Sequence, residues 1–309
     1  MLSIACSRLR RAFEARGLAV ATGVADGSAG RADEATIRPA RLVDDMALRT
    51  YAAGPAEPLV APVAFLDGTQ RSEIIGYVGT SPVLVAEIGA AVRERREREL
   101  RTVVREQSLV VIGRAAALDE IEDAIDGLER LVLDREGPPH PVRDLVEARQ
   151  RLDHRRGNLE LHVGDRYRRS SDAWLIIDGT LGVSPGLAAD VRCIGVSKSH
   201  ATLPFDGSDL AAYLRLPAGH RSSIFEPAQG IAPTRAWGLR LWPWVGRDLF
   251  HGLVRVEVAP ANGTPETADR ISRWLLAERA PLADDARADR LLYGIHSVEA
   301  HLRAVSAFA

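Results

Sequence analysis

The chain has 309 residues, 46% of them hydrophobic, which is enough to bury a core and excludes global disorder. Its 40 basic and 42 acidic residues leave a formal net charge of −2, so no whole-protein basic field exists and any nucleic-acid contact must be local. The two cysteines, Cys6 and Cys193, form no Cys-x-x-Cys, which argues against a disulfide framework or a structural zinc site and suits a reducing cytoplasm.

In chain order, residues 3–16 predict a short basic helix, and the Gly/Ala-rich stretch from Gly17 to about Arg38 a loop. The apolar part of that stretch is short and broken by Gly and Thr, unlike an export signal. No apolar run is long enough to span a bilayer. Regular structure is expected from Leu59, which divides the chain into an N-terminal extension, 1–58, and a main domain, 59–309. Val63-Ala-Phe-Leu66 predicts a buried strand that ends at Asp67-Gly68-Thr69, with Ile74–Val78 as a partner. Residues 83–112 predict two long antiparallel strands joined by a charged tip, a solvated surface around Arg93–Arg101.

Apolar spacing at Leu118, Ile121, Ile125 and Leu128 predicts a helix over 115–133, stopped by Gly137-Pro138-Pro139. Two more helices are expected over 144–155 and 159–169, parted near Gly157. Ala173–Ile177 is a second short apolar run ending in Asp-Gly-Thr, and Cys193–Val196 a third strand. Strands at Trp237–Leu241 and Leu253–Val258 and helices at Thr267–Arg279 and Arg287–Val305 complete the chain. This mixture implies an α/β fold, a mixed sheet flanked by helices.

The repeated Asp-Gly-Thr carries the chemical signal. An aspartate where a buried strand ends is held rigidly at a sheet edge, and two such residues on neighbouring strands can converge on a Mg- or Mn-type cation. A phosphatase of the haloacid dehalogenase type needs a nucleophilic aspartate two positions upstream; Phe65 and Ile176 stand there, so that mechanism has no first step. Of the 40 basic residues 39 are arginine, and Lys198 is the sole lysine, which points to a compact ammonium at that position. Trp237, Trp242 and Trp244 read as packing residues, Arg255 and Glu257 as charges on one strand face that pair with neighbours, and Gly219-His-Arg221 as a candidate phosphate contact.

In order, Asp67-Gly-Thr, Glu160, Asp178-Gly-Thr-Leu, Val196-Ser-Lys198, Tyr293 and Ala300-His301 resemble the NurA family of nucleases, from about Leu59 to the C-terminus. Family members usually have Ser where Thr69 and Thr180 stand. The resemblance implies an RNase H-like core with helical insertions, and Mn or Mg held by Asp67, Glu160, Asp178 and His301. Glu147 is the alternative helical carboxylate. Lys198 would then meet a phosphate, and Tyr293 would orient water or phosphate, on the same helix face as His301. It further implies a homodimer that cuts DNA beside a hexameric ATPase of the HerA type. The rivals are an inactive scaffold that binds the ATPase or DNA, and an RNA-directed nuclease.

Overall fold

The computed structural model describes residues 2–24, 36–134, 136–200, 202–228, 230–244, 249–281 and 292–306. Four short strands lie in the N-terminal part: β1 (Ala19–Val24), β2 (Thr36–Ile37), β3 (Arg41–Leu42) and β4 (Thr50–Ala52), after helix α1 (Leu2–Ala15). Three long strands follow, β5 (Val63–Val78), β6 (Ser81–Arg96) and β7 (Glu99–Arg114), then α2 (Ala115–Asp119) and β8 (Glu129–Leu133). Helix α3 (Pro141–Arg168) leads to β9 (Trp174–Asp178), α4 (Pro185–Ala189) and β10 (Cys193–Ser197). The rest comprises β11 (Thr202–Leu203), α5 (Gly207–Leu214), β12 (His220–Ser222), β13 (Phe225–Glu226), β14 (Arg235–Arg240), β15 (Leu253–Val258), α6 (Pro265–Ala277) and α7 (Tyr293–Ala304).

One sheet organises the molecule, with β7-β6-β5-β9-β10-β15-β14 as neighbours. The hairpins β5–β6 and β6–β7 are antiparallel, whereas β9 runs parallel to both β5 and β10. Three antiparallel strands, a helix, and two strands added in parallel beside the first give the RNase H-like order expected. Among the described residues no helix is long and apolar enough to cross a membrane.

Strand alternation sends side chains to two cores. Ala64, Leu66, Leu175 and Ile177 meet Leu152, Leu159 and Val163 of α3 on one face. Phe65, Ile176, Ile194 and Val196 meet α6 and α7 on the other, through Ile271, Leu275, Val298 and Leu302. Full burial of each such side chain stabilises by roughly 1.5–3 kcal/mol, so the helices are clamped to the strands that carry the aspartates.

Several expectations need correction. Strand β5 does not end at Asp67. It continues through Gly68 and Thr69, which pair with Ala90 and Gly89, so Ile74–Val78 belongs to the same strand and is not its partner. The Asp-Gly turn preference gives way to ladder pairing with β6. The helix expected over 115–133 is only α2, a turn at Glu122–Ala124, and strand β8, which pairs in parallel with β7. Leu118, Ile121 and Ile125 are all buried together with α1, so their spacing recorded burial and not one helix; Gly127, at φ +79°, breaks the path. Conversely, the two helices parted near Gly157 are one helix, α3. It is capped by His140, whose ring accepts from the Arg143 amide at 3.3 Å, with Pro141 in the first turn. A mid-helix glycine costs about 1 kcal/mol, which the apolar contacts of Leu152, Leu159 and Val163 outweigh.

The part expected as an N-terminal extension is built into the sheet. β1 pairs with β5, β4 with β12, and α1 buries Leu9 and Phe13. Residues 25–35 of the expected loop, and residues 287–291 of the expected last helix, lie outside the described residues. Cys6 and Cys193 are free and buried, and burial pushes their thiols up to about 11 and about 12.

Candidate metal centre

Register brings the two aspartates together. In the parallel pair of β5 and β9, Phe65 stands opposite Ile176 and Leu66 opposite Ile177, so Asp67 and Asp178 are the next residues along adjacent strands. Adjacent strands are roughly 4.8 Å apart. Phe65 and Ile176 share the α7-facing core, and by alternation Asp67 and Asp178 share that face.

Glu160 arrives from the opposite side, on α3. A Cβ built on Gly68 would lie 2.1 Å from Glu160 Oε1, so the Glu160 carboxylate occupies the space that the missing side chain leaves open. Glycine at 68 is required here for close approach, not for an unusual φ. Glu147, the alternative, pairs with Arg151 at 3.1 Å. It lies thirteen residues back along α3, about 20 Å from the Glu160 position. Glu160 is therefore the helical carboxylate of this cluster.

The three acids feel one another. Asp67 is only 5% exposed; burial raises its pKa well above the usual carboxylate range, and the charges of Asp178 and Glu160 raise it further. Lys198 and a 2.8 Å hydrogen bond from the Gly68 amide pull the other way. Glu160 is also raised, first by burial and then by Asp178, against the opposing charges of Arg156 and Lys198. Lys198, one residue beyond β10, sets its Nζ 2.6 Å from Asp178 Oδ2. Arg156 forms an ion pair with Glu160 one helical turn away. Three carboxylates thus face two cations. Sequence reasoning missed Arg156, although its i,i+4 spacing to Glu160 was a visible signal.

Hard oxygen donors in negative excess suit a divalent cation of the Mg or Mn type. Among the described residues, no three His, Cys, Asp or Glu side chains already close round a common point. Two of the three carboxylates are instead engaged by Lys198 and Arg156.

A buried glutamate braces the second aspartate. Glu257 on β15 stands opposite Gly195 of β10, and Gly195 in turn opposite Ile177 of β9. The turn after Asp178 folds back over Gly195, where a Cβ would meet the Gly179 carbonyl at 2.8 Å. Glu257 accepts from the Thr180 hydroxyl at 2.5 Å and from the Leu181 amide at 3.0 Å, and pairs with Arg255 at 2.9 Å. Pairing with neighbours was expected of Arg255 and Glu257; they pair with each other instead, and Glu257 also braces the turn.

Tyr293 and His301 are placed differently from the expectation. Eight residues turn a helix about 80° beyond two full turns, so the two side chains do not share a face. Tyr293 opens α7 and is 58% exposed, with no side-chain hydrogen bond to the carboxylates among the described residues. His301 lies half-buried on α7. Burial lowers its pKa, and the charges of Arg93 and Arg105 lower it further. Its Nε2 is buried with no hydrogen-bond partner, so no hydrogen bond from that atom ties it to the carboxylates. The phosphate contact expected at Gly219-His-Arg221 is also corrected: Arg221 is buried, bonded to Asp269 at 2.6 Å and stacked over Tyr51. Trp237 is buried with its indole N–H on Ser272, and Trp242 lies under Arg279, both as packing residues.

No family model and no curated protein matches the chain. Among solved structures it is similar to the NurA nuclease from Sulfolobus solfataricus, with a TM-score of 0.48 and 10% identity over 82% of this chain and 81% of that one. It is also similar to the catalytic domain of human endonuclease V, at 0.33 and 15% over 79% and 83%. A third likeness is to endonuclease V from Bacillus subtilis, at 0.34 and 11% over 82% and 85%. These likenesses are of fold.

Proposed function

We propose that this chain is a metal-dependent nuclease that hydrolyses phosphodiester bonds of DNA. The observation that carries the reading is the pairing of Asp67 with Asp178 on adjacent strands, with Glu160 laid over Gly68 and Lys198 Nζ on Asp178. Asp67, Asp178 and Glu160 would hold the cation. A divalent ion supplies Lewis acidity there, lowering the pKa of bound water and offsetting charge on the phosphate. Lys198 presents a compact positive charge to the non-bridging oxygens of the phosphate, and the buried strands keep the carboxylates from relaxing away.

The same reading includes exonuclease and single-strand endonuclease activity, a homodimer, and work beside a hexameric ATPase of the HerA type in DNA end processing or defence. Sizing of the purified chain tests the dimer, and co-purification with the ATPase tests the partnership.

The deciding experiment is cleavage of linear duplex and single-stranded DNA in Mn, Mg or EDTA, with single-stranded RNA alongside. Wild type should cut DNA in Mn or Mg only, and Asp67→Asn and Asp178→Asn should each abolish cutting. Activity surviving either substitution removes the site assignment. No cutting under any metal, with the partner ATPase present, favours a binding scaffold.

A further inference from the structure

Beside the carboxylates lies a group of positive charges without acidic partners. In the ladders Asp67 stands opposite Ala91 and Ala91 opposite Arg105, so the three form one row across β5, β6 and β7. Directly opposed residues project to the same face, and two strand spacings separate the Asp67 and Arg105 backbones by about 10 Å. Ala91, the residue between, is small and buried. Arg93, two residues on from Ala91, lies on that face too. Its guanidinium donates to the carbonyl and hydroxyl of Ser297 on α7 and to the Leu100 carbonyl, which fix its position without neutralising it. His301 follows Ser297 by one helical turn.

Charge pairing on this hairpin shows the contrast. Arg95 meets Glu278, Arg96 meets Glu94, and Arg101 meets Glu99. Arg93 and Arg105 meet no carboxylate among the described residues, and Arg93 Nε and His301 Nε2 are both buried without a partner. Buried polar atoms ordinarily find partners; one orphaned atom on Arg93 and one on His301, beside the exposed Arg105, mark a place for an anion. Burial, and then the charges of Arg93 and Arg105, hold the pKa of His301 below the ordinary histidine value, which favours the neutral ring.

We propose that Arg105, Arg93 and His301 form a subsite for a backbone phosphate of the nucleic acid, flanking the phosphate at the Asp67–Asp178 pair. This rests on the nuclease reading above and reassigns His301 from the cation to the substrate. The subsite sets how the strand lies across the carboxylates.

The test is binding of a fluorescent DNA oligonucleotide in EDTA, by anisotropy over a salt series, so that no cleavage is needed. Arg105→Gln should weaken binding about tenfold or more, and lower the slope of log K against log salt by about one. His301→Gln should weaken binding with the wild-type slope, because the ring it replaces is neutral. Arg101→Gln, which removes an arginine already paired with Glu99, should bind like wild type. Wild-type affinity and slope for Arg105→Gln would overturn the subsite, and if wild type still cuts DNA in Mn the nuclease reading stands alone. A weakened Arg105→Gln in a chain that never cuts supports the phosphate subsite and removes the nuclease. Failure of wild type to bind DNA in EDTA overturns the subsite, and cleavage in Mn alone decides the nuclease reading.

Discussion

Thr180 donates its hydroxyl to the carboxylate of Glu257 at 2.5 Å, which ties the turn that follows Asp178 to a strand two positions away in the sheet. Glu257 is 1% exposed and also carries Arg255, so this one side chain connects two backbone segments and a cation. Glu257→Ala would leave Arg255 and the Leu181 amide without their acceptor. The expected cost is about 3–5 kcal/mol, read from urea unfolding. Thr180→Val removes one hydrogen bond to a charged group and should cost about 1.5–3 kcal/mol. Equal stabilities for wild type and Glu257→Ala would show that the turn stands without this brace.

Gly68 and Glu160 make the second prediction. Gly68→Ala places a methyl group where Glu160 Oε1 now lies, so the carboxylate must leave the Asp67–Asp178 pair. The fold should survive, at a cost of about 1–3 kcal/mol for overpacking. Thermal stabilisation by Mn should fall sharply while circular dichroism stays native. Full stabilisation by Mn in the alanine variant would separate Glu160 from cation binding.

The raised pKa of Asp67 gives a prediction with a sign. A carboxyl whose folded value exceeds its unfolded value adds stability in its neutral form. That stability is complete below the ordinary carboxylate range and is lost as pH rises through the raised value. Above the ordinary carboxylate range Asp67 is therefore a liability, and Asp67→Asn should stabilise the metal-free chain. A gain of about 1 kcal/mol corresponds to roughly 2–4 °C in Tm. The gain should shrink as pH is lowered toward 4. In saturating Mn the order should reverse, because only wild type gains binding energy. A lower Tm for Asp67→Asn in EDTA near neutral pH contradicts this account.

Lys198 supplies a point charge 2.6 Å from Asp178. Lys198→Ala should lower kcat by about a hundredfold with a smaller change in KM, since the charge counts most as the phosphate gains negative charge. Lys198→Arg should restore little, because a planar fork cannot occupy the place of a compact ammonium between Asp178 and the phosphate. Single-turnover kinetics separate this from slow product release.

Much of this arrangement was legible in the residues. The apolar runs before Asp67 and Asp178 gave the strands, and the paired Asp-Gly-Thr marked the two aspartates that the register sets side by side, because a four- or five-residue buried run reads directly as composition. The long hairpin β6–β7 was visible for the same reason. What stayed hidden depended on pairing. Asp67 looks like a strand end in sequence, yet Ala90 and Gly89 carry the ladder past it. Leu118, Ile121 and Ile125 have helical spacing but are buried by a turn against α1. Glu160 and Glu147 sit on the same helix, and only the open space above Gly68 distinguishes them. Arg93, Arg105 and Glu257 are ordinary strand charges until the register sets them beside an orphaned ring or a turn.

The unbroken course of α3 has a consequence for how this protein can vary. Its start is fixed by the His140 cap and its middle by Gln70 on Asp153 and Arg155 on Glu129, so Glu160 is locked in phase with β5. One residue inserted between His140 and Glu160 would rotate the carboxylate by about 100° and carry it off Gly68. The tip between β6 and β7 has no such phase to keep: it can lengthen or shorten by matched pairs of residues and leave the row through Asp67 intact. Length variation among relatives should therefore collect at the tip around Glu97 and Arg98, while α3 keeps its count.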